Sequence, residues 1–215
     1  MEDRDLPMSQ MSLTVEGVSK RFDRRWIFRE ISFSLSGGDS LAITGRNGSG
    51  KSTLVKILCG VLSATSGVVR LSLDGKELSA ADMRHHIGLV TPYLQLYDEF
   101  SGAENLDLLA RIRSGEDTHV PRADEVLKLV GLWERRRDVV RTYSSGMKQR
   151  LKYAFALLHQ PSVLLLDEPT SNLDAEGISV VKNVIEEQKR SGILVVATND
   201  DDQASWCLRR VHLGG

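Results

Sequence analysis

The 215 residues carry 28 Lys and Arg against 29 Asp and Glu, a formal net charge of −1, and 41% are hydrophobic. That balance creates no general field for nucleic acid or anionic lipid, so any such contact must come from a local patch; no nucleic-acid partner is expected, and the composition excludes disorder and collagen. A chain of this length buries roughly 70% of its unfolded surface, enough for one cored domain with an insertion.

Met1 to Met11 is polar and acidic, lacks the apolar core of a secretory signal, and reads as a frayed arm of a chain kept in the cytoplasm. Period-2 alternation predicts strands around Leu13, Val15 and Val18 and over 31–35. After Gly37-Gly38-Asp39, the run Leu41 to Thr44 predicts a buried strand, then a glycine-rich loop and a helix over 51–59. Val68 to Leu73 with Asp74-Gly75 reads as a hairpin, and Ile87 to Val90 as another strand. From Pro92 to Arg150 helical spacing takes over, through Leu106, Leu109 and Ala110, then Val126, Leu127 and Val130, then Leu151, Ala154 and Leu158. Strand and helix alternate again afterwards: strand 163–167, helix 175–190, strand 193–197, helix 201–207. The longest apolar runs, at 163–166 and 193–197, are a quarter of the roughly 20 residues of a membrane helix. Cys59 and Cys207 stand apart and read as reduced, structural thiols.

Gly45-Arg46-Asn47-Gly48-Ser49-Gly50-Lys51-Ser52 fits G-x-x-x-x-G-K-[ST] where the mechanism needs it, after a buried strand and at a helix start. Glycines let backbone N–H groups approach a polyphosphate, and the helix N-terminus adds positive potential. Lys51 is expected on the β- and γ-phosphates, Ser52 on Mg²⁺, and Thr53 as a further hydroxyl contact. The strand 163–166 ends in Asp167 and Glu168, a Walker B element in which Asp167 would hold Mg²⁺ and Glu168 would act as general base toward water. ATP and Mg²⁺ are the expected ligands.

Tyr143-Ser144-Ser145-Gly146-Met147-Lys148-Gln149-Arg150, ahead of the Walker B strand, resembles the Leu-Ser-Gly-Gly-Gln signature of ATP-binding cassette (ABC) ATPases. Ser144 and Gly146 fit that motif, Ser145 replaces its first Gly, and Met147 stands where Gln is usual. Asp167 to Asp174 is similar to the family's Walker B and D-loop run. The variation resembles exporter subunits of the family, including the haem exporter of cytochrome c maturation. The resemblance implies an α/β P-loop NTPase, RecA-like, with a mostly parallel sheet core, an antiparallel β part and a helical insertion. Its parts are expected over 1–91 and 153–215 for the ATP-binding core and 92–152 for the helical subdomain. It further implies a head-to-tail homodimer around two ATP molecules, with Ser144, Ser145 and Gly146 meeting the nucleotide of the other copy, and Asp174 counted among the nucleotide-binding residues. Separate integral membrane subunits would hold the cassettes at the inner face of the membrane. Phe22 lies where the family places the aromatic that stacks on adenine, with Trp26 or a core role for Phe22 as alternatives.

The chain departs from the family twice. Pro92 occupies the place of a Gln that contacts Mg²⁺, so either Gln95 reaches in or water replaces the ligand. Asn199 occupies the place of a switch His; either it donates to the γ-phosphate without becoming cationic, which would slow hydrolysis, or it caps the next helix. Arg135-Arg136-Arg137 with Arg141 reads as a solvated face, and His85-His86 as surface. The alternatives to a transport ATPase are a non-transport ABC ATPase and an ATP-gated module with little turnover.

Overall fold

The computed structural model describes residues 10–114, 122–190 and 192–214. In chain order the elements are β1 (Met11–Phe22), β2 (Arg25–Ser36), β3 (Ser40–Thr44), α1 (Lys51–Leu58), β4 (Ser66–Leu73), β5 (Lys76–Glu77), α2 (Ala80–His86) and β6 (Ile87–Val90). There follow α3 (Gly102–Ser114), α4 (Arg122–Leu129), α5 (Ser145–Leu157), β7 (Val163–Asp167), α6 (Ala175–Lys189), β8 (Ile193–Ala197), α7 (Asp201–Ala204) and β9 (Arg209–His212). A four-stranded antiparallel sheet has the order β2-β1-β4-β5, and a five-stranded parallel sheet the order β6-β7-β8-β3-β9.

The parallel sheet is buried on both faces, and strand alternation divides its side chains between two cores. Leu164 and Leu166 of β7 and Leu194 and Val196 of β8 join the helical side, with Leu106, Leu127, Leu151 and Val184. Their neighbours Val163, Leu165, Ile193 and Val195 face α1 and the antiparallel sheet, with Leu13, Leu35, Leu54 and Leu58. The helical insertion therefore shares its core with the sheet, and α5 runs through the expected boundary at residue 152.

Several expectations need correction. Met11 belongs to β1 and is buried, and Gln10 exchanges hydrogen bonds with Asp74, so neither belongs to a frayed arm; residues 1–9 lie outside the described residues. The first two strands extend to a turn at Asp23, because a bulge around Gly17 puts both Val18 and Ser19 inside and breaks the alternation. The last helix stops at Ala204 instead of Cys207, and β9 follows it. With Arg209, Arg210 and His212 at its exposed positions, β9 has almost no apolar pattern; it is a strand because β3 supplies a parallel ladder. Helix α2, between the expected hairpin and the strand at Ile87, was not anticipated; Ser79 caps it by accepting from the Asp82 N–H.

The topology positions the site. Ile43 of β3 and Asp167 of β7 both pair with Ala197 of β8, and Val90 of β6 pairs with Leu166. The strands are parallel, so the four loops that leave their carboxyl ends emerge along one edge: the phosphate loop, the acidic pair, Asn199 and the segment 91–93.

Candidate nucleotide site

Two glycines of the phosphate loop are required by their surroundings. Gly45 has φ 143°, and a Cβ there would lie 2.3 Å from the Leu213 carbonyl oxygen. Gly50 has φ 102°, and its Cβ would lie 2.4 Å from an Ile27 methyl. Gly50 is also the N-cap of α1, with no side-chain cap bond and no acidic residue in the first turn. The first N–H groups of α1 are therefore left for an external anion.

A cavity of about 370 Å³ opens over this turn, lined by Asn47, Gly48, Gly50, Lys51, Ser52, Thr53 and Glu168, with Ile27 and Tyr93 at its margins. The Lys51 ammonium is buried and donates to the carbonyls of Gly45 at 2.9 Å and Arg46 at 3.4 Å, with a Glu168 carboxylate oxygen at 3.9 Å. A phosphate entering the loop would exchange those neutral acceptors for anionic oxygens.

Asp167 is 2% exposed and hydrogen-bonded to Ser52, while its Oδ1 is buried without a partner among the described residues. An orphaned, inward carboxylate oxygen beside a hydroxyl fits a hard divalent cation that takes its remaining ligands from water and phosphate. Burial pushes the Asp167 carboxyl above its ordinary pKa, and Ser52, Lys51 and Lys56 oppose that shift. Burial also raises the Glu168 carboxyl; Lys51 opposes this, Asp167 reinforces it, the Asn199 N–H lowers it and Asp200 raises it. A glutamate so raised stands closer to the operating pH of a general base. Its backbone is strained, with φ 50°, and held by a 2.8 Å bond from its N–H to the Ala197 carbonyl.

The signature segment stands apart from this cavity. Ser144 caps α5, accepting from the Met147 N–H at 3.1 Å, and Ser144 and Ser145 are exposed. A Cβ on Gly146 would sit 3.2 Å from the Asn172 carbonyl, so the glycine lets the D-loop pack against the helix tip. Asp174 is engaged as the N-cap of α6, accepting from the Gly177 N–H at 2.8 Å. Tyr153, fully buried on α5, donates to the Pro169 carbonyl at 2.8 Å and so ties the signature helix to the segment after Glu168. Sequence reasoning passed over this residue, since nothing local links Tyr153 to Pro169.

The remaining expected residues divide. Asn199 is not a helix cap: Asp200 takes that place, accepting from the N–H groups of Asp202 and Gln203. Asn199 instead donates to Asn47 Oδ1 at 3.0 Å, joining the switch segment to the phosphate loop. Gln95 does not line the phosphate-loop cavity; it borders a separate one with Ser145, Lys148, Gln149, Lys152 and Asn172. The segment turns after Pro92 so that Tyr93, unremarked in the sequence, reaches the phosphate side. Phe22 is half exposed under the Lys20 ammonium at 4.8 Å and lies outside the residues lining the cavity. Trp26 is flanked by Arg21 and Arg29. Arg135 pairs with Asp138, Arg141 with Glu99, and Arg136 covers Trp133, in keeping with a solvated face. His85 is exposed, and no cluster of three metal-ligating His, Cys, Asp or Glu occurs among the described residues. No helix among those residues is long and apolar enough to cross a membrane.

Comparison with known proteins agrees with this geometry. The family profile described as ABC transporter matches residues 28–171. The ABC transporter ATP-binding protein YhcH of Bacillus subtilis is 36% identical over 188 residues, 87% of this chain and 61% of that protein. The lantibiotic transport ATP-binding protein SrtF of Streptococcus pyogenes is 34% identical, over 87% of this chain and 79% of its own length. The linearmycin resistance ATP-binding protein LnrL of B. subtilis is 34% identical, over 87% of this chain and 60% of its own. Among solved structures, an ATP-binding subunit of an ABC transporter superposes with a TM-score of 0.80 at 26% identity, covering 94% of this chain and 85% of that one. The cbiO1 protein of Clostridium perfringens, part of the transporter complex cbiONQ, gives 0.75 at 30% identity, covering 94% and 84%. The chain spans about three-fifths of the length of the first curated relatives it matches. With the family profile covering more than half the sequence and the phosphate loop, acidic pair and signature helix in place, this chain belongs to the ABC transporter family and carries its ATP-binding cassette.

Proposed function

We propose that this chain is the ATP-hydrolysing subunit of an ABC transporter, in which two copies close on two Mg-ATP and drive separate membrane subunits in export. The observation that carries the reading is the division of the site. Lys51, Ser52, Asp167 and Glu168 converge within one chain, while Ser144 and Ser145 present a capped but exposed helix tip outside that cavity. An α-helix N-terminus that faces solvent is a ready anion site, and a second copy's terminal phosphate would complete it. Linearmycin resistance and lantibiotic transport among the relatives favour export.

In this reading the phosphate loop and Lys51 bind the triphosphate, and Ser52 and Asp167 hold Mg²⁺. When bound, the metal neutralises charge on the phosphates. Glu168 accepts the proton of the attacking water, which needs its carboxylate ionised. Asn199 is the switch-segment side chain already bonded to the phosphate loop, through Asn47, and its amide would supply a hydrogen bond without the charge of an imidazolium. Phe22 is the adenine-stacking candidate, and the membrane subunits keep the protein at the cytoplasmic face. The deciding experiment is light scattering of Glu168→Gln with saturating ATP and Mg²⁺: a dimer that dissolves when ATP is removed is expected. A persistent monomer, in the absence and presence of membrane subunits, would overturn the reading. A second reading, an ATP-gated module with little turnover, draws on Pro92 and on the uncharged Asn199. Steady-state hydrolysis no faster in the unaltered chain than in Glu168→Gln would select it.

A further inference from the structure

We propose that Tyr93 reads the terminal phosphate of a bound nucleoside triphosphate, donating its phenolic hydrogen to a γ-phosphate oxygen. This assignment rests on the nucleotide reading above and adds to it a residue that distinguishes triphosphate from diphosphate.

Four observations support it. The parallel sheet brings segment 91–93 to the same edge as the phosphate loop, through the pairing of Val90 with Leu166, one residue before Asp167. Pro92 offers neither a side-chain donor nor an N–H, and Gln95 is turned to the separate cavity beside α5. Tyr93 is the residue of this segment that lines the phosphate-loop cavity, together with Lys51, Ser52, Thr53 and Glu168. Finally, Tyr93 is 69% exposed, and the Lys56 ammonium lies over its ring, 4.9 Å from the centroid. Core packing therefore does not account for a tyrosine here, whereas a phenol at a cavity lined by the Lys51 ammonium and the glycine-loop amides suits an anion.

The same segment is held from behind. The Lys152 ammonium of α5 donates to the carbonyls of Pro92 at 2.9 Å and Thr91 at 3.4 Å. A phosphate bound by Tyr93 would thus be coupled to the helix whose tip carries Ser144 and Gly146. Diphosphate, which ends short of the γ position, would leave that link unengaged.

The test is calorimetric titration of the intact chain and of Tyr93→Phe with Mg-ADP and with the β,γ-imido analogue of Mg-ATP. Tyr93→Phe keeps the ring over which Lys56 lies and removes the donor alone. Affinity for the triphosphate analogue is expected to fall about tenfold, with ADP affinity held within about twofold, since a hydrogen bond to a charged group contributes selectively where that group is present. Unchanged affinity for both ligands, or an equal loss for both, would overturn the assignment. Tyr93→Gln, which restores a donor on a shorter side chain, is expected to recover part of the discrimination; Tyr93→Leu is expected to recover none. If the unaltered chain binds neither nucleotide, the proposed function itself fails, a result distinct from equal binding by the two chains.

Discussion

The phosphate-loop corner and the signature tip are built from the same kind of part, the start of an α-helix, but they are finished differently. At α1 the cap is a left-handed glycine without a side chain, and Lys51, Ser52, Asp167 and Glu168 surround the free N–H groups. At α5 the cap is Ser144, which satisfies the Met147 N–H, and the exposed Ser145 faces outward. In the proposed reading one corner is an anion cradle within a single chain, and the other is a stable helix end that would become a site only against a second copy. The difference teaches that a capping serine and a phosphate contact are compatible roles, separated by what the rest of the fold brings nearby.

The largest effect expected from breaking the complete corner is on chemistry. Glu168→Gln should reduce hydrolysis by about 10² to 10⁴, the usual range for loss of a general base, with nucleotide binding retained in the same titration. The next test joins the two corners. Lys51→Ala and Gly146→Asp chains should each be nearly inactive alone. Mixed in equal amounts, they should regain about a quarter of the wild-type rate, because each mixed dimer holds one intact composite site. No recovery in a coupled phosphate-release assay would mean that the signature tip does not serve a neighbouring copy.

The acidic pair should make the complete corner pH-sensitive. Burial raises the Glu168 pKa from its ordinary value, and the base works only when ionised. Hydrolysis is therefore expected to be fully present above that raised pKa and to fall about tenfold per pH unit below it. The inflection should lie above the ordinary glutamate value of about 4.3, as read from a kcat against pH profile. The smallest expected effect concerns the strut between the corners. Tyr153→Phe leaves the buried Pro169 carbonyl without its donor and should cost about 1 to 2 kcal/mol in urea unfolding, with the m-value unchanged.

Much of this was legible in residue order. The phosphate loop, the acidic pair and the signature were readable because each is a contiguous run whose chemistry depends on local backbone, and each was found on the strand end or helix start expected of it. The buried strands β7 and β8 were equally plain, as short apolar runs. What was misread depended on distant partners. β9 exists because β3 offers it a ladder, and of the two roles left open for Asn199 the cap fell locally to Asp200, whose carboxylate accepts from two N–H groups at once. Gln95 was chosen for its amide, yet the turn at Pro92 carries it to a separate cavity beside α5 and leaves Tyr93 lining the phosphate-loop cavity.

Sequence alone thus determined the ligand class and the general architecture, because glycine spacing, a terminal carboxylate pair and period-2 runs each encode their physics within a few residues. Tertiary structure alone decided which side chains share a cavity. Parallel pairing collects four strand ends at one edge, while the exposed Ser144 and Ser145 lie outside the cavity that Lys51 and Ser52 line. That separation is a matter of direction in space, which no local pattern of residues records.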